Sequence, residues 1–118
     1  MTVAGLLVVY PDTPSIDLAR TLDLSGYSWK GVANIDTMSK LQPADGWAGA
    51  VVSCDEDPEG GWAMCRALRR LERPVQRILV LVTGAQIGDL EVRDNLFDDF
   101  QLTPFHPREL EARLRHMF

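Results

Sequence analysis

No apolar run in these 118 residues approaches membrane-spanning length, and the opening MTVAGLLVVYPD lacks the basic start of an export signal. A cytoplasmic protein is therefore expected. Cysteine is scarce: Cys54 and Cys65 have neither metal-ligand spacing nor histidine partners, so both read as reduced, packed thiols and no metal site is expected. Positive charge is in deficit, with Lys+Arg 12 against Asp+Glu 17 and a net charge of -5. A chain so balanced does not itself grip nucleic acid, because phosphate binding needs a basic surface. Internal repeats and low-complexity segments are missing too. So is a glycine-rich phosphate loop: after the first apolar run comes YPDTPS, where Pro11 and Pro14 offer no N–H to an anion.

What is present is alternation. Apolar runs at GLLVVY (5–10), AGAVVS (48–53) and RILVLVT (77–83) predict buried strands, KGVANI predicts a weaker one, and DFQLT (99–103) predicts a short one. Helices are predicted between them. Thr13 is placed to cap the first, with Pro14 at its first position and Ile16, Ala19 and Leu22 at helical spacing. Asp36 is expected to begin a short helix over DTMSKL. Trp62, Cys65, Leu68 and Leu71 form one apolar face of the next, whose C-terminal half carries Arg66, Arg69, Arg70 and Arg73. Those arginines suit the negative end of a helix dipole and read as a solvated face. GAQIGDLEVRDNLF is an ambiguous, mobile helix, and HPRELEARLRHMF a final one with Pro107 at its start and Leu110, Leu114 and Met117 aligned. Five strand–helix alternations predict an α/β fold: one domain over 1–118 with a parallel, doubly wound sheet.

Such sheets bind ligands beyond the carboxyl ends of their strands, which directs attention to Tyr10, Ser53, Thr83 and Thr103. Here a resemblance becomes specific. DDFQLTPFHPRELEARLR is similar to the fifth strand and helix of OmpR/PhoB-type response-regulator receiver domains, commonly DDYLTKPFSPRELLARVR. GWAMCRALR resembles that family's third helix, GLELCRRLR. The similarity runs from about Leu6 to the end. It implies a CheY-like (flavodoxin-like) five-stranded parallel sheet of order 2-1-3-4-5 with helices on both faces. It also implies a following winged-helix DNA-binding domain, through which alone DNA would be bound.

The same resemblance supplies a checklist that this chain fails. The two acids that hold Mg²⁺ in the family fall at Tyr10 and Pro11, with Asp12 one place late. The phosphoacceptor aspartate, eight residues before Gly61, is Ser53. The hydroxyl residue after the fourth strand is kept as Thr83, the conserved-pattern lysine is Thr103, and the aromatic switch position is Phe100, which has no hydroxyl. Ser53 is an alcohol with no base beside it, and Mg²⁺ wants oxygen ligands that Tyr10 and Pro11 do not supply. The expectation is a domain with no catalytic residue, no metal and no cofactor. Ser53, Thr83 and Thr103 are expected to satisfy one another by hydrogen bonds, or else to line a small pocket for an uncharged ligand. Asp55, Glu56 and Asp57 read as a solvated acidic loop, with Asp55 as a displaced phosphoacceptor the competing reading. A flavodoxin-like ligand-binding module is another. The Thr103–Pro104 bond is expected to be cis. The retained function is homodimerisation through the family's fourth helix, fifth strand and fifth helix, carried here by Asp98, Asp99, Glu109 and Arg113, in a phosphorylation-independent transcription regulator.

Overall fold

The computed structural model describes residues 5–118. Five parallel strands form one sheet in the order β2-β1-β3-β4-β5: β1 (Leu6–Tyr10), β2 (Ser28–Gly31), β3 (Gly49–Ser53), β4 (Ile78–Thr83) and β5 (Asp99–Thr103). This is the doubly wound arrangement expected from the alternation of patterns. β3 and β4 are interior and buried on both faces, apolar but for their last residues Ser53 and Thr83, whereas β2 and β5 lie at the edges and are more exposed.

Period-two alternation sorts the strand side chains into two layers. Val8, Tyr10, Ala50, Val52, Val80 and Val82 join one core with Met38, Trp62, Cys65 and Leu68. Those last four come from α2 (Ile35–Lys40) and α3 (Pro58–Arg69). Leu7, Val9, Val51, Leu79 and Leu81 join the other, with Leu18 and Leu22 of α1 (Ile16–Leu24) and Leu110 and Leu114 of α4 (Pro107–Met117). Both cysteines are fully buried and unbonded. The Cys65 contact first, and burial second, push the Cys54 thiol far above its ordinary pKa, which leaves it a weak nucleophile.

Several boundaries differ from the sequence reading. Ser15, not Thr13, caps α1, accepting from Leu18 N at 3.2 Å, so Pro14 lies outside the helix. Asn34, not Asp36, caps α2 through Thr37 N at 2.8 Å. β2 is SWKG rather than KGVANI, because the chain must already turn at Asn34 to enter that cap. Leu71 falls beyond α3, which ends at Arg69. The segment after β4 is not a continuous helix but two 3-10 turns, Gly84–Asp89 and Glu91–Arg93. Its only fully packed apolar residues are Leu90 and Leu96, too few for an amphipathic α-helical stripe.

Phe118 closes the α1/α4 layer. Its ring lies where a Cβ on Gly49 would stand, and it meets Tyr27 edge-on at 6.2 Å between centroids. Phe118→Ala removes an aromatic ring from a site with 8% exposure and should cost about 3 kcal/mol, read as a lower urea midpoint at unchanged slope. An unchanged midpoint would show that the ring contributes no packing.

Candidate functional site

The carboxyl ends of β3 and β5 meet the start of α1 in a cleft of about 180 Å³. Ser53, Asp55, Glu56, Thr103, Pro104 and Asp17 are among its walls. Ser53 stands on the α1/α4 face because it is two residues beyond Val51, which packs there. Thr103 is on the neighbouring strand but one, and its hydroxyl donates to Val82 O at 3.4 Å. Thr83 pairs in register with Thr103 but is not a wall of this cleft. No hydrogen bond joins Ser53, Thr83 and Thr103, so the expected mutual satisfaction of the three hydroxyls does not occur. Ser53 registers with Leu81, two residues before Thr83, which sets it back from the Thr83–Thr103 pair along the strands, and the Thr103 hydroxyl is spent on Val82 O.

The same alternation removes Tyr10 from the cleft. It shares a face with Val8, opposite the face that carries Ser53 and Val51. Its hydroxyl donates to Asp57 Oδ2 at 2.9 Å, and Asp57 Oδ1 accepts from Gly60 N at 3.1 Å to cap α3. A Cβ at Gly60 would collide with both the Asp57 carboxylate and the Tyr10 hydroxyl, so this corner requires glycine. Burial, then the bond to Asp57, raises the Tyr10 phenol pKa. Asp57 is thus exposed, as the sequence suggests, but it also serves as the cap of α3 and the anchor of the Tyr10 hydroxyl. Glu56 is exposed. Asp55 is half-buried, and its Oδ1 is enclosed with no hydrogen-bond partner.

Two further ties escaped the sequence reading. Gln86 Oε1 accepts from Thr83 N at 2.8 Å while its amide donates to Cys54 O at 3.2 Å, pinning the first 3-10 turn to the end of β3. The Thr-x-x-Gln spacing of residues 83 to 86 is the signal that marks such a cap. Gln101, fully buried on β5, donates to the Glu109 carboxylate and to Leu102 O, the latter at 3.0 Å. Nothing in the sequence flags that pair beyond a glutamine in a strand.

The anticipated dimer residues are all engaged within the chain. Asp98 bonds Arg69 at 3.0 Å and Ile78 N at 2.8 Å, on the α3 side, away from the other three. Asp99 receives Arg113 at 3.2 Å on each oxygen. The same guanidinium lies 5.8 Å from the centroid of Phe100, the switch position, so Arg113 curls over the free edge of β5. Asp99 also accepts from Phe100 N at 2.8 Å. Glu109 is held by Gln101.

Solved structures share the fold of this chain. The chain superposes on CheY4, a chemotaxis protein of Vibrio cholerae, with TM-score 0.76, 22% identity and 98% of each chain covered. The receiver domain of the sensor histidine kinase PA1611 from Pseudomonas aeruginosa matches at TM-score 0.73 and 21% identity, again over 98% of each chain. DrrB, an OmpR/PhoB homologue from Thermotoga maritima, matches at TM-score 0.73 and 16% identity over 97% of this chain and 52% of that one. This is the receiver fold. No family model matches the sequence. The cis bond expected at Thr103–Pro104 is present, and Tyr10–Pro11 is cis as well.

PA1611 holds a magnesium ion in its active-site cleft. The residues here do not fit that ion. Tyr10 and Pro11 bring no carboxylate, the Tyr10 oxygen is committed to Asp57, and the described residues contain no group of three acids, histidines or cysteines placed to share a metal. In this receiver fold the cleft offers Ser53 and Thr103 hydroxyls beside an acidic loop, which repels rather than collects a phosphoryl group.

The Tyr10–Asp57 bond gives a pH signature. A raised folded pKa means the contribution is complete below the unfolded tyrosine value, about 10, and is lost as pH rises through the folded value. Tyr10→Phe should therefore lose about 1 kcal/mol at neutral pH. The gap to wild type should narrow in thermal melts above about pH 10. A gap that stays constant into alkali would mean the hydroxyl is not favoured in its neutral form.

Proposed function

We propose that this receiver-fold domain is the regulatory module of an OmpR-type transcription regulator that works without phosphorylation, through homodimerisation. One observation carries the reading. Where an acyl phosphate would form, at the end of β3, stands the Ser53 alcohol, with 4% exposure and no cation beside it. An acyl phosphate requires a carboxylate, and phosphoryl transfer depends on positioned positive charge. Thr103 supplies none, and the side chain at the metal position faces the opposite layer.

The dimer face of this proposal is the outer edge of β5 with α4. Asp99, Glu109 and Arg113 are its charged residues, and Leu102, 37% exposed, adds apolar surface. Asp98 is left out, because its carboxylate is spent on Arg69 and Ile78 N. In a two-fold dimer each contact is made twice, so Arg113 can serve the partner's acid as well as its own Asp99. Sedimentation velocity should find a dimer at high micromolar concentration without any phosphodonor. Arg113→Glu should shift it to monomer. A monomeric wild type sinks the dimer, and a dimer indifferent to Arg113→Glu moves it to another face.

A second reading rests on Asp55, whose enclosed, unpartnered oxygen lines the cleft beside Ser53. It makes Asp55 a displaced phosphoacceptor. Incubation with acetyl phosphate and Mg²⁺ separates the two by intact mass: the first reading expects no phosphoryl adduct, the second an adduct abolished by Asp55→Asn.

A further inference from the structure

The C-terminal half of α3 and the second 3-10 turn enclose a groove of about 560 Å³, lined by Arg66, Arg69, Arg70, Val92, Arg93, Asn95 and Leu96. Four arginines of a chain with net charge -5 converge there, and no acid is among the walls. The helix dipole accounts for cations at the end of α3. It does not account for Arg93, which arrives from the opposite wall. Nor does it account for the arrangement of the four.

Two of them form a fixed frame. Arg69 donates to Val75 O at 2.7 Å, to Asn95 O at 3.3 Å and to Asp98 at 3.0 Å. Arg93 donates to Asp89 O at 3.2 Å and lies 5.3 Å from the centroid of the Trp62 ring. Arg66 and Arg70 have no hydrogen bond or ion pair among the described residues. They sit one helical turn apart, where like charges repel each other. Only Arg69 has an acid partner, Asp98, at the groove. The neighbouring acids Glu91 and Asp94 are exposed and outside its walls.

We propose that this groove binds a compact polyanion, a small molecule carrying linked phosphoryl groups. Planar guanidinium forks match phosphoryl oxygens two at a time, and an anion between Arg66 and Arg70 relieves their repulsion. The cavity is of small-molecule size. A bound peptide is disfavoured because both walls are helical side chains: neither offers the free strand edge that extended peptides use. Leu96 and the exposed Val92 give an apolar margin for the organic part of such a ligand. A ligand bridging Arg66 and Arg70 to Arg93 clamps the 3-10 segment to α3, and that segment leads directly into β5. The site is independent of the cleft at Ser53 and of the dimer face.

The test titrates inorganic pyrophosphate into the intact chain and follows backbone amide shifts with Trp62 indole as a second reporter. Saturable shifts confined to residues 66–70 and 92–96 are expected. The double variant Arg66→Ala/Arg70→Ala, both exposed and free of contacts the fold needs, should weaken binding about ten-fold or more. Arg108→Ala, on the first turn of α4, should leave it unchanged. Three results overturn the proposal: shifts that never saturate, equal weakening by Arg108→Ala, or tighter binding of hexaglutamate than of pyrophosphate.

Discussion

Burial of β3 and β4 on both faces is the constraint from which the remainder follows. Each inner strand must divide its side chains between two apolar layers, and a residue cannot change layer without shifting the register of its strand. That division places Ser53 over α1 and α4 and sends Tyr10 to α3. Tyr10 is a large amphipathic side chain whose polar tip needs a partner once its ring is buried. Asp57 provides it and caps α3 with its other oxygen. The residue that ends β1 is thus part of the core, and the loop that follows β3 is fastened by the same contact.

Ser53 and Thr103 bring only hydroxyls to a cleft whose charged walls, Asp17, Asp55 and Glu56, are all acids. Acids gathered beyond a strand end are tolerable when a metal and a lysine offset them. With neither offset available, hydroxyls cost less to hold close together. The acids that remain nearby, Glu56 and Asp17, point their charge toward water, while Asp55 keeps one oxygen enclosed. Gln86 then ties the following 3-10 turn to Cys54 O with an uncharged amide. The Gln86 and Thr103 side chains near the strand ends thus spend hydrogen bonds on backbone carbonyls.

The parallel sheet and the position of the cleft were legible because apolar runs and their alternation with helical patterns are strong signals, while the strand order came only with the receiver-domain resemblance. β5 was read at its observed bounds, as was the start of α4 at Pro107. Cap positions were less legible: Thr13, Ser15, Asn34 and Asp36 are all competent caps, and only the geometry of the turn decides among them. The segment 84–93 was ambiguous since its few apolar residues fit no period. The charges misled for a different reason. Asp98 lies in the bend just before β5 and turns to Arg69 and Ile78 N, whereas Asp99 opens the strand and meets Arg113, yet a resemblance read along one line treats them as one patch. Arg73 was grouped with Arg66, Arg69 and Arg70, but the fourth arginine of the groove is Arg93, distant in sequence.

β5 is an edge strand, and two of its outward backbone groups are already occupied by its own side chains. Asp99 takes the N–H of Phe100, Gln101 gives to the C=O of Leu102, and Arg113 lies across the rim. A strand from another molecule arriving there finds no run of free donors and acceptors to zip against. Strand-on-strand addition, and with it the open-ended sheet growth that leads to fibres, is disfavoured at that edge.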